Sequence, residues 1–436
     1  MTGGLNDALA GLHLTASKVS CRCIYLVSMG ISAMADQPGP LTGVKAVTCS
    51  TAQAGTVPYM LMADLGAEVI KIEVPGVGDN SRTAGEMKGG ISSFFETNNR
   101  GVKSLTLNLK SDEGRKILHG LVKDADIFGQ NFRPGAAEKN GFGYEELKKI
   151  NPALVYVSIS GYGLAGPHGA LPGTDAVGQA LGGIAEAYAG PGENMRTGVV
   201  SVADESCAIL TFGGLLAALY YAKNTGIGQK VETSLVGGIV RLMGWTMTTT
   251  MWRDANPITG ARINGTRERP GIAATFNDRD GKPLVFQLAH TDWTRAMEAL
   301  DFLPTLKERG ADDLGLALVS GAEKDKILST LAELFATDSR DRWLELLRAA
   351  DVVSAPVNTL LEASNDADVL ANGYIQEVEY PEIGESLKVH GTPWQFSETP
   401  AKLGVAPKLG EHNDEILSGL GYSDTEIAAL REQKVI

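Results

Sequence analysis

From Val44 onward, short apolar runs alternate with stretches whose apolar residues recur at helical spacing. The segments follow in chain order: strands 44–48, 68–73, 104–108, 126–130 and 154–159, with helices 57–65, 111–123 and 144–150. Gly66 occupies the position of a C-cap glycine, and Ser111 begins the second helix. Strands separated by helices of this length indicate parallel βαβ units. The fold class is therefore predicted to be α/β, with a doubly wound, Rossmann-like parallel sheet.

The pattern changes beyond residue 255. Residues 272–276 and 283–288 are apolar runs on either side of a polar, glycine-containing turn, which is typical of a β-hairpin. Amphipathic helices follow as far as Ala350. This region is predicted to be a smaller α+β domain.

The first 40 residues show no clear periodicity. Ordered structure is expected to begin near Leu41, and Met34 is an alternative initiator methionine. A secretory leader cleaved after Ala33-Met-Ala35 is another interpretation, but the segment before it is long and holds few cations.

Three loops follow strands of the predicted sheet, at the ends where such sheets bind ligands: 50–55, 75–82 and 131–135. Gly76-Val-Gly78 lacks the full dinucleotide fingerprint, so a nicotinamide cofactor is not indicated and a structural turn explains it equally well. The loop 131–135 offers the Asn131 amide and the Arg133 guanidinium to a phosphate or amide-rich ligand. A solvated turn would have a similar sequence.

Asp204 stands where a polar segment gives way to small, apolar, helix-forming residues from Ser206 onward. We place it at or just before a helix N-terminus, where free N–H groups and the helix dipole would keep the carboxylate ionised. An N-cap without further function is the alternative. Asp175 is a second carboxylate candidate, and its position after Pro172-Gly173 favours a helix start.

Composition narrows the function classes. With 436 residues and a formal charge of −13, the chain lacks the clustered cations that nucleic acid or an anionic membrane requires. No unbroken run reaches the roughly 18 apolar residues of a membrane span. The six histidines and four cysteines show no metal-ligand spacing, which argues against a metal site. The small number of cysteines suits a reducing, cytoplasmic compartment. Hydrolase nucleophile and phosphate-loop motifs are absent, leaving a carboxylate as the available nucleophile.

Four segments of the chain match motifs of one protein family, in the same order and with similar spacing: 63–73, 131–135, 226–231 and 409–415. Together they resemble the class III CoA-transferases, which include formyl-CoA transferase and, as close relatives, the α-methylacyl-CoA racemases. The resemblance runs from about Leu41 to the C-terminus. It implies an enzyme that uses coenzyme A as an acyl-CoA co-substrate, with no permanently bound cofactor.

The resemblance also implies site residues. It identifies Asp204 as the catalytic nucleophile and Gln53 as its neighbour in the active site. The CoA contacts that it implies, with Arg133 added from the same loop, are Ala52, Gln53, Ala54, Leu107, Lys110, Asn131, Phe132, Arg133 and Lys139. Val74 replaces an arginine that formyl-CoA transferase uses, and Lys139 replaces another. No tetraglycine flap is present between residues 260 and 271, which argues against formyl-CoA and oxalate as substrates.

Members of this family form dimers of two interlocked rings, so a homodimer is expected, with a heteromer containing a paralogue as the alternative. The predicted domains are 1–40, a disordered leader or extended start; 41–235, the first part of a large CoA-binding domain; 236–254, a linker helix; 255–355, the small domain; 356–374, a linker; and 375–436, the rest of the large domain.

The predicted reaction moves CoA from an acyl-CoA donor to a free carboxylic acid through aspartyl anhydride and aspartyl-CoA thioester intermediates on Asp204. A racemase is one alternative, but its proton-carrying histidine corresponds to Thr174, which cannot replace it, and His168 lies in a loop expected to face solvent. A non-catalytic, CoA-binding subunit is another.

Trp245, Met247, Met251 and Trp252 suggest an acyl pocket, although core packing is the favoured interpretation.

Overall fold

A computed structural model describes residues 38–189, 197–198, 200–256, 272–288, 290–317 and 321–436. Its strands are β1 Lys45–Thr48, β2 Glu68–Glu73, β3 Met87–Lys88, β4 Ile91–Ser92, β5 Lys103–Thr106, β6 Ile127–Gln130, β7 Val155–Ser160, β8 Lys230–Ser234, β9 Ile272–Asn277, β10 Pro283–Leu288, β11 Ser354–Pro356, β12 Ile375–Tyr380 and β13 Glu385–His390. The predicted leader, except for its last three residues, and the segment 260–271 lie outside the described residues.

The helices are α1 Val57–Asp64, α2 Ser93–Asn99, α3 Asp112–Lys123, α4 Ala136–Lys139, α5 Tyr144–Ile150, α6 Asp175–Leu181, α7 Ile184–Ala187, α8 Val202–Thr225, α9 Leu235–Arg253, α10 Trp293–Ala299, α11 Leu303–Glu308, α12 Leu314–Ala317, α13 Gly321–Phe335, α14 Arg340–Ala349, α15 Leu360–Ala363, α16 Ala367–Ala371, α17 Asn413–Gly419 and α18 Asp424–Glu432. Two 3₁₀ turns cover Asn80–Thr83 and His290–Asp292.

The predicted α/β fold with a parallel sheet is confirmed. Six strands form a sheet in the order β5-β2-β1-β6-β7-β8, and the pairings among the first five of these are parallel. Counted along the chain, this is the doubly wound order 3-2-1-4-5-6. The order reverses between β1 and β6, and the loops that follow these two strands therefore lie where such sheets bind ligands.

Local sequence signals set several element ends of this sheet. The side chain of Ser111 accepts a hydrogen bond from the Gly114 N–H and so caps α3. Gly66 follows α1 with a φ of +92°, a conformation that glycine adopts without steric cost. Two hairpins, β3 with β4 and β12 with β13, were not predicted. Their strands are short or largely exposed, so no apolar face marks them in the sequence.

The chain divides into two compact units. The first contains the described residues up to Ser160 together with Ala208–Thr233 and Gln376–Ile436, and the second contains Gly161–Cys207 and Ser234–Ile375. The domain boundaries predicted from the sequence differ from these two units, since they group residues 161–207 with the large domain. The predicted boundaries stay a prediction.

One core of the first unit lies where α3, α5 and the two C-terminal helices α17 and α18 pack on the sheet. It consists of buried apolar side chains with little or no exposure, among them Val47, Ile72, Leu105, Ile117, Leu118, Phe128, Leu147, Tyr156, Leu417 and Ile427. Helices α17 and α18 thus complete a core that begins some 370 residues earlier in the chain. The hydrophobic effect, at roughly 25 cal/mol per Å² of buried apolar surface, holds the C-terminal segment in place.

The second unit contains the predicted hairpin. Strands β9 and β10 pair antiparallel through a turn in which Asp278 accepts the N–H groups of Asp280 and Lys282. β11, which was not predicted, pairs with β10 on the other side. A cluster of aromatic rings with centroids 4.9–5.9 Å apart fills the core of this sheet and its helices: Phe276, Phe286, Phe302, Phe335 and Trp343.

Among the described residues, helix α8 is long and apolar enough to cross a membrane by length and composition. The sequence search for an unbroken apolar run did not identify it, because small and polar residues interrupt the apolar ones. A core helix of a soluble protein meets the same criteria, so this is weak evidence for a membrane span.

Candidate active site

Asp204 is the third residue of α8 and lies inside its first turn. The predicted position at the N-terminal end of a helix is confirmed, but α8 begins at Val202, so Asp204 is not the N-cap that was the alternative interpretation. The N–H groups of Ala203 and Asp204 instead donate to Oδ1 of Asp175, over distances of 2.8 and 3.1 Å. Asp175, the first residue of α6, thus does the work of an N-cap for a helix 27 positions further along. A cap from so far away leaves no local signal.

A small residue allows this approach of α6 to α8. A Cβ added at Gly178, on α6, would lie 2.8 Å from the Ala203 Cβ and 2.9 Å from the Leu235 Cβ. Such contacts are closer than real Cβ atoms tolerate, so any larger residue would push the helices apart.

Burial raises the pKa of the Asp204 carboxyl to about 7, and the negative charges of Asp175 and Glu205 add to this effect. The expectation that the helix terminus keeps Asp204 fully ionised is thus wrong. The physical reasons are the burial of the carboxyl group and, second, the negative charge of Asp175, which also takes up two N–H groups of the first turn. The result is a half-buried carboxylate that the protein solvates poorly as an anion. Such a group is a candidate for catalysis.

Gln179 connects Asp175 with the segment that precedes α8. Its side chain is 2% exposed, its amide nitrogen donates to Oδ2 of Asp175, and its oxygen accepts the Gly198 N–H at 2.7 Å. This residue fixes the orientation of the Asp175 carboxylate, and the sequence analysis did not select it. The available signal was its position four residues after Asp175, on the same face of α6.

The loop 50–55, which follows β1 and contains Gln53, is held from two sides. Asn131, at the end of β6, accepts the Thr51 N–H at 3.0 Å and donates to the Thr51 carbonyl at 2.8 Å. Lys71 donates to the Ser50 carbonyl at 2.9 Å. The structure thus connects the loops that follow β1 and β6, and it shows Asn131 holding the loop that carries Gln53.

Behind this loop lies a buried network of charges. Lys71 and Asp79 form an ion pair of 2.8 Å with side chains 1% and 0% exposed. Asp79 also accepts the Ala52 N–H, while Arg82 pairs with Glu73 at 2.6 Å and stacks on Phe95. Ala52 has a φ of +59°, which is uncommon for alanine. Loop 75–82 therefore has a structural role, which was one of the two interpretations of its sequence.

Burial by itself would raise the pKa of both acids in this network. For Asp79 the charge of Lys71 and the hydrogen bonds from Lys71 and Ser81 outweigh burial, and its pKa lies below the ordinary value. The hydrogen bond and charge of Arg82 do the same for Glu73. Both groups are therefore ionised near neutral pH and engaged by cations.

A pocket of about 450 Å³ opens at the carboxyl ends of the first unit's strands. Leu107, Lys110 and Phe132, three of the predicted CoA contacts, line it. Apolar walls come from Cys49, Ile72, Leu109 and Phe142, and polar groups from Asn108, Asn140 and Lys434. Val74, at 57% exposure, also lies on its wall. The pocket offers an apolar interior with cations, which suits a ligand that is apolar in one part and anionic in another.

The remaining predicted contacts are not among the lining residues: Ala52, Gln53, Ala54, Asn131, Arg133 and Lys139. Arg133 and Lys139 are exposed, Lys139 as the last residue of α4. Gln53 is half-buried in its loop. Asp204 belongs to the second unit, whereas the other predicted site residues belong to the first. The assignment of these residues to a site stays a prediction.

Within the described ranges, no group of three or more His, Cys, Asp or Glu side chains is placed to hold a metal ion. Cys49 and Cys207, both buried, form no disulfide.

Comparison with known proteins gives the family. The family model for CoA-transferase family III matches residues 41–413. The chain is 30% identical to the succinyl-CoA:glutarate CoA-transferase of Homo sapiens, with 91% of this chain and 90% of that protein covered. It is also 30% identical to the formyl-CoA:oxalate CoA-transferase of Streptomyces avermitilis, with 91% and 99% covered.

Two further comparisons agree with these. The beta subunit of the succinyl-CoA–L-malate CoA-transferase of Chloroflexus aurantiacus is 30% identical, with 91% of this chain and 98% of that one covered. The crystal structure of a CaiB/BaiF family protein from Brucella suis superposes with a TM-score of 0.78 at 28% identity, covering 88% of this chain and all of that one. The resemblance inferred from four sequence segments is confirmed. Because the family model spans most of its length, the chain belongs to CoA-transferase family III and is an enzyme of this class.

Proposed function

We propose that this enzyme transfers CoA from an acyl-CoA donor to a free carboxylic acid, with Asp204 as the nucleophile. The observation that carries the proposal is the half-buried Asp204 carboxyl, whose pKa is raised to about 7. A carboxylate with a pKa near 3.9 is a weak nucleophile in water. An anion that the protein solvates poorly is more basic and more reactive.

The proposed reaction has four steps. The Asp204 carboxylate attacks the thioester carbonyl of the donor, which forms a mixed anhydride and releases CoA thiolate. The thiolate attacks the Asp204 carbonyl, which releases the donor acid and leaves an aspartyl-CoA thioester. The acceptor carboxylate attacks this thioester, giving a second anhydride and thiolate. The thiolate then attacks the acceptor's acyl carbon and frees Asp204. No net proton is taken up or released.

The loop 50–55 supplies the proposed stabilisation of charge. Gln53 would donate hydrogen bonds to the oxyanions formed in each step, whereas the N–H groups of Thr51 and Ala52 already donate to Asn131 and Asp79. The hydrogen bonds from Asn131 and Lys71 support this role, because they fix the loop before substrate arrives. Holding the thioester against Asp204 can contribute about 7–11 kcal/mol through effective concentration.

The direct test is a transfer assay. We expect CoA transfer from at least one of succinyl-CoA, acetyl-CoA and aryl-CoA to a member of a panel of carboxylic acids, measured by mass spectrometry. Succinyl-CoA comes first, since two relatives carry it in their names. In deuterated water without acceptor acid, 2-methylacyl-CoA should not exchange its α-proton. Rapid α-deuteration without transfer would favour the racemase instead.

The residues at and near the position of the racemase histidine favour transfer over racemisation, which needs a proton-carrying histidine there. Thr174 precedes α6, its side chain makes no capping hydrogen bond, and its hydroxyl has no useful basicity. His168 is exposed, with its ring 5.8 Å from that of Tyr162, in keeping with the expected solvent-facing loop.

The acid limb of the pH profile should report the ionisation of Asp204. Attack requires the carboxylate, so kcat/KM should rise with pH through about 7 and level off above it. Asp175→Asn keeps a hydrogen-bond acceptor but removes a charge that raises this pKa. We expect it to move the limb to lower pH by about one unit. Glu205→Gln should shift it in the same direction by less, since Glu205 contributes less than Asp175. An unchanged limb in Asp175→Asn would contradict this account.

The interlocked homodimer is also proposed. Large apolar side chains on α8 and α9 are exposed in the single chain, including Ile209 at 54%, Leu242 at 51%, Trp245 at 61%, Met251 at 64% and Trp252 at 86%. The interpretation of Trp245, Met251 and Trp252 as core is wrong for the single chain. Patches of this kind mark interfaces. Tagged and untagged native protein should not exchange subunits over a day; exchange within hours would rule out interlocking.

A heteromer remains the second candidate, because one relative is named as a beta subunit. Asp204 and Gln53 are both present, so activity of the purified chain alone is expected. Co-purification with a paralogue and no activity alone would favour the heteromer. The buried cysteines Cys49 and Cys207 form no disulfide, which supports the proposed cytoplasmic location.

A further inference from the structure

We infer that Lys434, in the C-terminal tail, binds a phosphate group of the CoA substrate at the pocket of the first unit. That CoA is the ligand follows from the proposed function, on which this inference rests. That Lys434 contacts it follows from the geometry of the pocket and of the C-terminal tail. Lys434 lines the pocket together with Lys110. The family model ends at residue 413, so Lys434 lies beyond the segment that it matches.

The backbone places Lys434 in an unusual conformation. It follows α18 and its cap residue Gln433, and it has a φ of +56°. The Lys434 N–H donates to the Arg431 carbonyl at 3.0 Å, and the Val435 N–H donates to the Leu430 carbonyl at 2.9 Å. These two bonds form a Schellman motif, whose left-handed position is usually glycine. A lysine there is strained, which suggests that its side chain serves another purpose.

The tail is also fixed against the pocket wall. Val435 is 4% exposed, packs in the same core as Leu430, and accepts a hydrogen bond from the Asn108 N–H at 2.8 Å. Asn108 itself lines the pocket. Lys434 is therefore presented by a rigid turn anchored next to the pocket.

Charge favours an anion at this place. The chain carries a formal charge of −13, so a multiply charged anion needs local cations. The two carboxylates in the pocket wall, Glu73 and Asp79, are already engaged by Arg82 and Lys71. Lys110 and Lys434 are exposed and, within the described part of the chain, form no ion pair. Two lysines at the rim of an apolar pocket suit a phosphate that stays partly hydrated.

The test is calorimetric titration of the full-length protein with CoA, dephospho-CoA and pantetheine. Lys434→Gly and Lys434→Ala should each raise the Kd of CoA about 5- to 10-fold. Neither should change the Kd of pantetheine, which lacks the phosphates. If the effect is lost with dephospho-CoA, Lys434 binds the 3′-phosphate; if it persists there, Lys434 binds the diphosphate. Lys123→Ala removes an equal charge from an exposed lysine that does not line the pocket, and its Kd for CoA should match that of the wild type.

Stability separates binding from a structural role. Because glycine suits a positive φ, Lys434→Gly should melt at the same temperature as the wild type or higher, while binding CoA more weakly. Equal Kd values for CoA in the wild type and Lys434→Gly would overturn the inference and leave the proposed transferase intact. Failure of the wild type to bind CoA at all would overturn both.

Discussion

Asp204→Asn is expected to lower transferase turnover by about 10⁴-fold or more, because it removes the group on which both covalent intermediates form. The side chain keeps its size and one acceptor oxygen, so the loss should appear in kcat with little change in CoA affinity. Turnover is measured by mass spectrometry with the best donor and acceptor pair, after the intact mass has excluded deamidation. Normal turnover in this variant would end the assignment of Asp204.

The same variant should be more stable than the wild type above neutral pH. The pKa of Asp204 is raised to about 7 in the folded protein, against about 3.9 in an unfolded chain. The contribution of the protonated Asp204 carboxyl to the free energy of unfolding is fully present below pH 4 and is lost as pH rises through about 7. Asparagine carries no charge and avoids this loss, which is on the order of 2 kcal/mol after partial exposure is considered.

Thermal unfolding at pH 4 and pH 8 checks this expectation. The difference in Tm between Asp204→Asn and wild type should be small at pH 4 and positive at pH 8. Glu205→Gln is the matched control, as it removes the adjacent charge on α8 and should keep turnover within a few-fold of the wild type. A Tm difference that does not depend on pH would show that the Asp204 pKa is not raised.

Lys71→Met should destabilise the fold by about 3–5 kcal/mol, since it leaves the buried Asp79 carboxylate without its cation. It also removes the hydrogen bond to the Ser50 carbonyl, so the loop that carries Gln53 loses one of its supports. We therefore expect lower kcat at temperatures where the variant is still folded. Urea unfolding gives the free-energy change, and the transfer assay gives kcat.

Lys103→Met is the matched control for that change. Lys103 pairs with Glu68 and Glu415, but its side chain is 31% exposed, so the expected cost is at most about 1 kcal/mol. The ionised Asp79 carboxylate contributes to the free energy of unfolding of the wild type, and this contribution should be lost only as pH falls through its lowered pKa, below about 4. In Lys71→Met the dependence of the free energy of unfolding on acid pH should be smaller. Equal costs for the two lysines would mean that burial does not decide the strength of these pairs.

Much of the first unit could be read from the sequence because its signals are local. The periods of apolar residues located β2 and α5 at their observed ends, and Ser111 and Gly66 marked helix termini. The hairpin β9–β10 was predicted from its turn. The place of the C-terminal helices α17 and α18 in the sheet's core depends on contacts between residues hundreds of positions apart, and no sequence period reports such contacts.

The candidate site divides in the same way. The sequence by itself determined an α/β chain with a parallel sheet, ligand loops at the ends of β1, β2 and β6, and an acidic residue at the start of a long apolar helix. Only the tertiary structure decided which group caps that helix, because Asp175 reaches it from α6. It also decided the pKa of Asp204, since burial and the approach of a second carboxylate depend on three-dimensional packing. The same holds for Lys434, a residue with no sequence motif, which lies at the pocket because a Schellman turn and a hydrogen bond from Asn108 fix the tail there.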